Sequence, residues 1–292
     1  SGGCARRRVV RARGCAHWRP WPAYTLDVVA AVLPPSDLDA VDAPASAVKS
    51  AARTLQLLEM LAERGGVPAR LTDLADQLGA PRSSVHALLR TLSASGWVRT
   101  DATGTLYVLG LRSLLVGTST LDSDPYLRAA RPALTSLRDE LGETVHLARL
   151  DGDRVVYLTT QESGREPRRI ARVGRWLPVH TTSLGKALLA ARGEVPAGAL
   201  GRLTDQTITT VEDLAVDLER TRERGYGIDD EENTVGLRCL GVALRYTDPV
   251  VDAISCSVPV GRMTPEREEE IVRALLRTRD LIEESAPIQG VI

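Results

Sequence analysis

Residues 71–99 read LTDLADQLGAPRSSVHALLRTLSASGWVR, and this stretch decides the fold. Leu71, Leu74, Ala75 and Leu78 recur at helical spacing, Gly79 stops that run, and Pro81 opens the next. In the second run Val85, Leu88, Leu89 and Leu92 fall at i, i+3, i+4 and i+7, the apolar stripe of a helix seated on a core. Arg82, Ser83, His86, Ala87 and Arg90 lie away from that stripe. All are polar or small, so this face can enter a DNA major groove, with Arg and hydroxyl groups reaching phosphates and base edges. After Gly96, the residues Trp97-Val98-Arg99, the turn Asp101-Ala102-Thr103-Gly104 and Leu106-Tyr107-Val108 read as strand, turn and strand. Ser84 and, at the hairpin tip, Thr103 are further candidate contacts. Helix, turn, helix and hairpin in this order predict a winged helix-turn-helix, and Trp97 is expected to close the wing against the helices.

Composition limits what such a module can do. Aromatic residues are 3% of the 292 with no Phe, so the cores must be built from Leu, Val, Ile and Ala. The net charge of -1 provides no global basic field, and any DNA affinity must come from a local patch. Between Pro44 and Thr105 the bases Lys49, Arg53, Arg64, Arg70, Arg82, Arg90 and Arg99 face the acids Glu59, Glu63, Asp73, Asp76 and Asp101. That small excess suits a module that docks as a dimer and gains affinity by repetition. Cys4, Cys15, Cys239 and Cys256 form no CxxC pair, so no zinc ribbon or disulfide framework is expected. No apolar run reaches the length of a membrane span, and Arg11, Arg13, His17 and Arg19 interrupt anything resembling a twin-arginine signal. A cytoplasmic protein without membrane contact is expected. Residues 1–44 read as a disordered basic arm or an upstream extension.

Punctuation along the chain gives its organisation. Val48–Leu61 is an amphipathic helix beneath the helix-turn-helix, and Leu109–Leu121 is a leucine-bearing linker helix that ends at Asp122-Ser123-Asp124-Pro125. The next helix carries Leu127, Ala130, Leu134, Leu137 and Leu141 and stops at Gly142, with Pro132 expected to bend it. From there the period changes to two. Thr144–Leu150 and Arg154–Thr160 flank an Asp-Gly-Asp turn, and further strands are expected at Arg169–Val173, Gly225–Asp229, Leu237–Arg245 and Val251–Val260. Helices are expected at Ser183–Arg192, at Val211–Arg224 behind Thr210, and at Pro265–Glu284 behind Thr264. The class is α/β of the α+β kind: a winged helix-turn-helix at 45–108, a linker helix at 109–124, and a mixed domain with an antiparallel sheet at 125–287, before a tail at 288–292.

Thr181, Thr182 and Ser183 arrive at the start of a helix whose unpaired N–H groups, together with those hydroxyls, suit a carboxylate. A plain N-cap explains Ser183 equally well. Ser255 and Ser257 are two apart in a strand and can share a face. Cys239 with His180 and Asp229 could be drawn as a catalytic set, yet nothing near Cys239 would activate a thiol. No ligand spacing supports zinc among His146, His180, Cys239 and Cys256, and no cofactor is expected. The acidic run Asp229–Glu232 reads most simply as a solvated turn.

From Val48 to Glu284 the chain resembles the IclR family of bacterial transcriptional regulators. The resemblance rests on the 74–98 segment, Gly142-Glu143-Thr144-Val145-His146-Leu147, and the run Gly174–Ala187 that includes Thr181-Thr182-Ser183-Leu184-Gly185-Lys186-Ala187. It continues through Arg224-Gly225-Tyr226, Asp229–Glu232, Gly236-Leu237-Arg238-Cys239 and Ser255-Cys256-Ser257. It implies a C-terminal PAS- or GAF-like effector domain, homo-oligomers, operator DNA as partner, and no enzymatic activity. It also implies that the backbone at Ser183 and Leu184, with Asp229, Cys239, Ser255 and Ser257, contacts a small organic or sugar acid. Repression of a metabolic operon is the favoured function. After Cys239 the chain departs from the family pattern, with Leu240-Gly241-Val242-Ala243-Leu244 in place of a small-residue run ending in proline.

Overall fold

A computed structural model describes residues 48–165 and 173–287. The basic arm, the tail at 288–292, Cys4, Cys15 and most of the strand expected at Arg169–Val173 lie outside the described residues. The N-terminal part runs α1 (Lys49–Glu63), β1 (Ala69–Arg70), α2 (Leu71–Gln77), α3 (Arg82–Ala94), β2 (Val98–Thr100) and β3 (Leu106–Leu109). Leu57, Leu61, Leu74, Val85, Leu89, Leu92 and Tyr107 are buried together, so the three helices and the wing close one core. Trp97 packs half-buried against it. The chain leaves α2 through Gly79, whose φ of 58° lies in the left-handed region that favours glycine. The wing sheet gains a strand that the sequence did not suggest: β1 pairs with β3, giving the order β1-β3-β2. Two residues are too few to show a period.

The linker helix, α4 (Leu111–Ser123), buries none of its residues, and Leu111, Leu114, Leu115 and Val116 are all more than half exposed. α5 (Pro125–Leu141) follows at once and runs through Pro132 without interruption. Pro132 is exposed on this helix. Next come β4 (Thr144–Asp151), β5 (Arg154–Gln161), β6 (Trp176–Pro178), α6 (Ser183–Arg192), α7 (Val211–Arg224), β7 (Gly227–Asp230), β8 (Leu237–Leu244), β9 (Asp252–Pro259) and α8 (Pro265–Ser285). The strands form one antiparallel sheet in the order β6-β5-β4-β9-β8-β7. The strand beside β5 is β6, whose Trp176 pairs with Val156, while Val173 lies in a turn. Period-two alternation sends Leu147, Leu240, Val242, Ile254 and Cys256 to a core shared with α5 and α8. Ala148, Ala243 and Ala253 go to the opposite core with α6 and α7.

One residue forms the joint between α4 and α5. Asp124 caps α5 by accepting from the Leu127 N–H at 2.9 Å, and its other oxygen accepts from Arg149 Nη1 at 2.7 Å. Arg149, on β4, also donates twice to Asp252 on β9 at 2.7 Å each, a bidentate pair. Asp252 is fully buried and accepts in addition from the Tyr246 hydroxyl at 2.6 Å, and Tyr246 stacks on Tyr126 at 4.6 Å. Removing the shared cation leaves a buried carboxylate unpaired. Arg149→Met should therefore lower the unfolding free energy by about 3 kcal/mol, measured by urea denaturation at neutral pH.

Candidate functional site

Two regions collect the residues that the sequence singles out. On α3, Arg82, Ser83, His86, Ala87 and Arg90 are exposed while Val85, Leu89 and Leu92 are buried. The helix thus presents one polar face over its own core. Arg82 and Arg90 are eight residues, roughly 12 Å, apart along it. Arg82 also lies 4.0 Å from Asp76, but both are exposed and such a pair holds weakly. Ser84 is half-buried and sits between the two faces. At the wing tip Thr103 is exposed, and its hydroxyl donates to Asp101. Asp101 also accepts from the N–H groups of Thr105 at 2.8 Å and Leu106 at 3.0 Å. These hydrogen bonds, that from Thr103 foremost, hold its carboxyl well below the usual carboxylate range. The Thr103 proton is committed to shaping the turn, which leaves its oxygen only as an acceptor.

The second region is a cleft where α6 meets the sheet. Two cross-strand rows build it. In the first, Gly227 pairs with Gly241, Gly241 with Ser255, and Ser255 with His146. A Cβ at Gly227 would stand 2.3 Å from the Ser183 carbonyl oxygen, and one at Gly241 would stand 2.8 Å from the same oxygen. Only glycine lets the first turn of α6 come so close. In the second row, beyond the helix tip, Asp229 pairs with Cys239 and Cys239 with Ser257. The cleft lies over this row. Tyr157, Thr182, Ser183, Asp229, Cys239, Ser255 and Ser257 line it with Asn233, Thr234 and Leu237. Its cavity volume is about 10 Å³, about what one water needs.

Ser183, Asp229, Cys239, Ser255 and Ser257 thus converge, and both serines do face the same way. Leu184 does not line the cleft, because its side chain is buried in the α6–α7 core. The N-cap is Thr182 rather than Ser183: its hydroxyl accepts from the Gly185 N–H at 2.9 Å. Cys239 Sγ lies 3.2 Å from Ser257 Oγ. His180 is turned to the Gly201 carbonyl, with Nε2 3.0 Å from that oxygen, and burial lowers its pKa. His146 Nδ1 lies 3.0 Å from Thr160 Oγ1.

Two acids of the 229–232 run are buried, Asp229 and Glu232, while Asp230 is exposed as a solvated turn requires. Asp229 Oδ1 accepts from the N–H groups of Glu232 at 2.9 Å and Asn233 at 3.1 Å, and burial pushes its carboxyl up to about 7. Glu232 is buried as well and accepts from Lys186, whose ammonium also lies 2.8 Å from Asp217 of α7. Burial raises the Glu232 pKa too. Sequence reasoning missed Lys186, Glu232, Tyr157, Asn233 and Thr234. A lysine inside the apolar run of 184–190 is the one signal that could have pointed to a buried ion pair.

The Asp229 shift sets a pH dependence. A carboxyl at the ordinary 3.8 ionises in the unfolded chain while the folded chain keeps its proton up to about 7. The stability contributed by the neutral group is thus complete below about pH 4 and is lost as pH rises to about 7. Relative to Asp229→Asn, the wild type should lose urea resistance progressively across that window and hold a constant offset above it. A constant difference from pH 4 to 8 would refute the shift.

Comparisons with known proteins agree with this architecture. The model of the IclR helix-turn-helix domain matches residues 50–102, and that of the bacterial transcriptional regulator IclR C-terminal domain matches 118–283. The transcriptional repressor IclR of Escherichia coli is 37% identical over 239 residues, covering 78% of this chain and 86% of that protein. The acetate operon repressor of Salmonella typhimurium is 36% identical over 77% of this chain and 85% of its own length. The crystal structure of an IclR transcriptional regulator from Alicyclobacillus acidocaldarius shares the fold, with a TM-score of 0.70 at 24% identity, covering 82% of this chain and all of that one. A helix-turn-helix domain matched over residues 50–102 and a C-terminal domain matched over more than half the chain identify a DNA-binding regulator rather than an enzyme: the chain belongs to the IclR family of bacterial transcriptional regulators.

Proposed function

We propose that this regulator represses a metabolic operon in the cytoplasm, as a homodimer or pair of dimers on a near-palindromic operator, under the control of a small organic or sugar acid. The exposed face of α3 carries the reading. Arg82, Ser83, His86 and Arg90 stand together over a closed core, free to meet phosphates and base edges. The names of the relatives, a repressor and an acetate operon repressor, support repression and a metabolic target. In this reading residues 45–108 bind DNA, 109–124 link, and 125–287 receive the effector. Ser183, Asp229, Cys239, Ser255 and Ser257 supply the cleft's hydrogen bonds, with Leu184 contributing backbone alone. A neutral Asp229 carboxyl would donate to an effector carboxylate rather than repel it. Effector binding shifts the packing of the sheet domains and, through the Asp124 joint, the direction of α4 and the angle between two wings.

Arg82→Ala and Arg90→Ala should each weaken binding to an operator selected from random-sequence DNA by about 5- to 100-fold. Their melting temperatures should stay within a few degrees of wild type, since no core contact is removed. Unchanged affinity in gel-shift titrations of both variants would remove α3 as the reading helix.

The dimer reading rests on α4. A helix with no buried residue and four large exposed apolar side chains needs a partner, and a second copy of the same helix supplies one. The double variant Leu114→Glu/Leu115→Glu should be monomeric by light scattering at micromolar concentration, where wild type is a dimer or tetramer. It should also lose more than tenfold in operator affinity, because the second half-site contact is gone. A variant that remains dimeric would place the interface elsewhere.

A further inference from the structure

The cleft has room for about one water, so a molecule of several heavy atoms enters only if a wall moves. Its floor is the centre of the sheet, where Cys239 and Ser257 face each other across paired strands. The α6 wall is held by the backbone contacts at Gly227 and Gly241, closer than any side chain would allow. The remaining wall is the turn from Asp230 to Gly236, which supplies Asn233 and Thr234 and joins the edge strand β7 to β8. Its outer side meets solvent: Val235 is 72% exposed, and Glu231 holds a positive φ of 60°. On its inner side it is tied down. Thr204 Oγ1 donates to the Glu231 carbonyl at 2.7 Å, and Thr207 Oγ1 donates to that of Glu232 at 2.7 Å. Asn233 Nδ2 adds a third tie by donating to Thr181 Oγ1 at 3.2 Å. A further tie is ionic and buried. Glu232 reaches inward to Lys186 on α6, which is 1% exposed and also meets Asp217 on α7.

We infer that Lys186 is a positioning residue for the effector cleft: its ion pair with Glu232 latches the 230–236 turn shut over Cys239, and opening of this turn admits the ligand. The inference rests on the reading of the cleft as the effector site, but its test needs no effector. The hydrogen bonds that Thr204, Thr207 and Asn233 make are between neutral groups and individually weak, whereas a buried ammonium and carboxylate do not separate cheaply. Lys186 therefore sets how often the turn opens. The same pair joins the turn to α6 and α7, so opening it loosens one wall without disturbing the α5–α8 core, where Cys256 is fully buried.

The two thiols make this measurable. With Cys4→Ser and Cys15→Ser in the 292-residue chain, Cys239 reports on the cleft and Cys256 on the core. Iodoacetamide labelling, read by peptide mass spectrometry, should be slow at the buried Cys256 of the otherwise wild-type protein, and the rate at the part-exposed Cys239 sets the reference. In Lys186→Met/Glu232→Gln, which leaves no unpaired charge between the two, labelling of Cys239 should accelerate at least tenfold while Cys256 stays protected. Glu232→Gln alone, which keeps the side chain's shape, should give an intermediate rate. Amide exchange should rise over 230–236 and not over 183–190. Three results would overturn the inference: an unchanged Cys239 rate, parallel acceleration of Cys239 and Cys256, or faster exchange in α6 rather than in the turn. If the latch behaves as expected and no organic acid binds, the effector reading fails and the latch stands.

Discussion

The C-terminal half is organised around one close approach, the first turn of α6 resting directly on the backbone of β7 and β8. Side chains ordinarily keep packed layers apart, about 10 Å for two stacked sheets. At Gly227 and Gly241 there are none, and the carbonyl of Ser183 descends to where two Cβ atoms would be. The consequences follow from geometry. Helix α6 is buried along almost its whole length, from Ser183 to Ala190. Its tip ends short of the next cross-strand row, so Asp229, Cys239 and Ser257 are covered by a turn instead of by packed helix. A cleft beside a helix start, lined by hydroxyls, a thiol and a neutral-leaning carboxyl, is the product of that offset.

Burying α6 so completely also buries Lys186, and the rest of that region answers to its charge. An isolated ammonium out of water costs several kcal/mol, so the fold supplies carboxylates from two other elements, Glu232 and Asp217. Apolar residues of similar volume could give equal stability. What they could not give is direction, because an ion pair fixes which turn sits over the cleft. The Asp124–Arg149–Asp252 set works by the same logic at the other end of β9. Asp252 and Ser255 are three residues apart on that strand, roughly 10 Å, so cleft floor and linker joint share one rigid element.

The helices and most strands were legible because their periods are strong: the i, i+3, i+4 stripe of Val85 to Leu92 has no other stable reading, and Thr210 and Thr264 cap where their chemistry says they should. What the sequence could not show depends on partners distant in the chain. Ser183 looks like a cap until the structure shows Thr182 already filling that role. Asp229 and Glu232 look as solvated as Asp230 does, because only the fold buries them and brings Lys186 to Glu232. Gly227 and Gly241 look like ordinary strand glycines, and the helix that requires them lies some 40 residues or more away. The edge strand β6 is not legible because Trp176-Leu177-Pro178 is too short for alternation to appear, and Pro178 argues against a strand except at a sheet edge, where β6 lies.

The modest charge of the N-terminal module bears on how such a protein can be switched. One α3 offers two arginines, one histidine and a few hydroxyls, and the bases of the module barely outnumber its acids. A single module would hold DNA weakly at physiological salt. Two joined modules multiply their affinities only when their spacing matches the half-sites, so the gain is set by geometry and vanishes when the geometry is wrong. A protein that drew its affinity from a large basic surface would tolerate small changes in wing angle. This one would not, and a rearrangement of α4 by a few degrees at the Asp124 joint is then enough to separate tight operator binding from release.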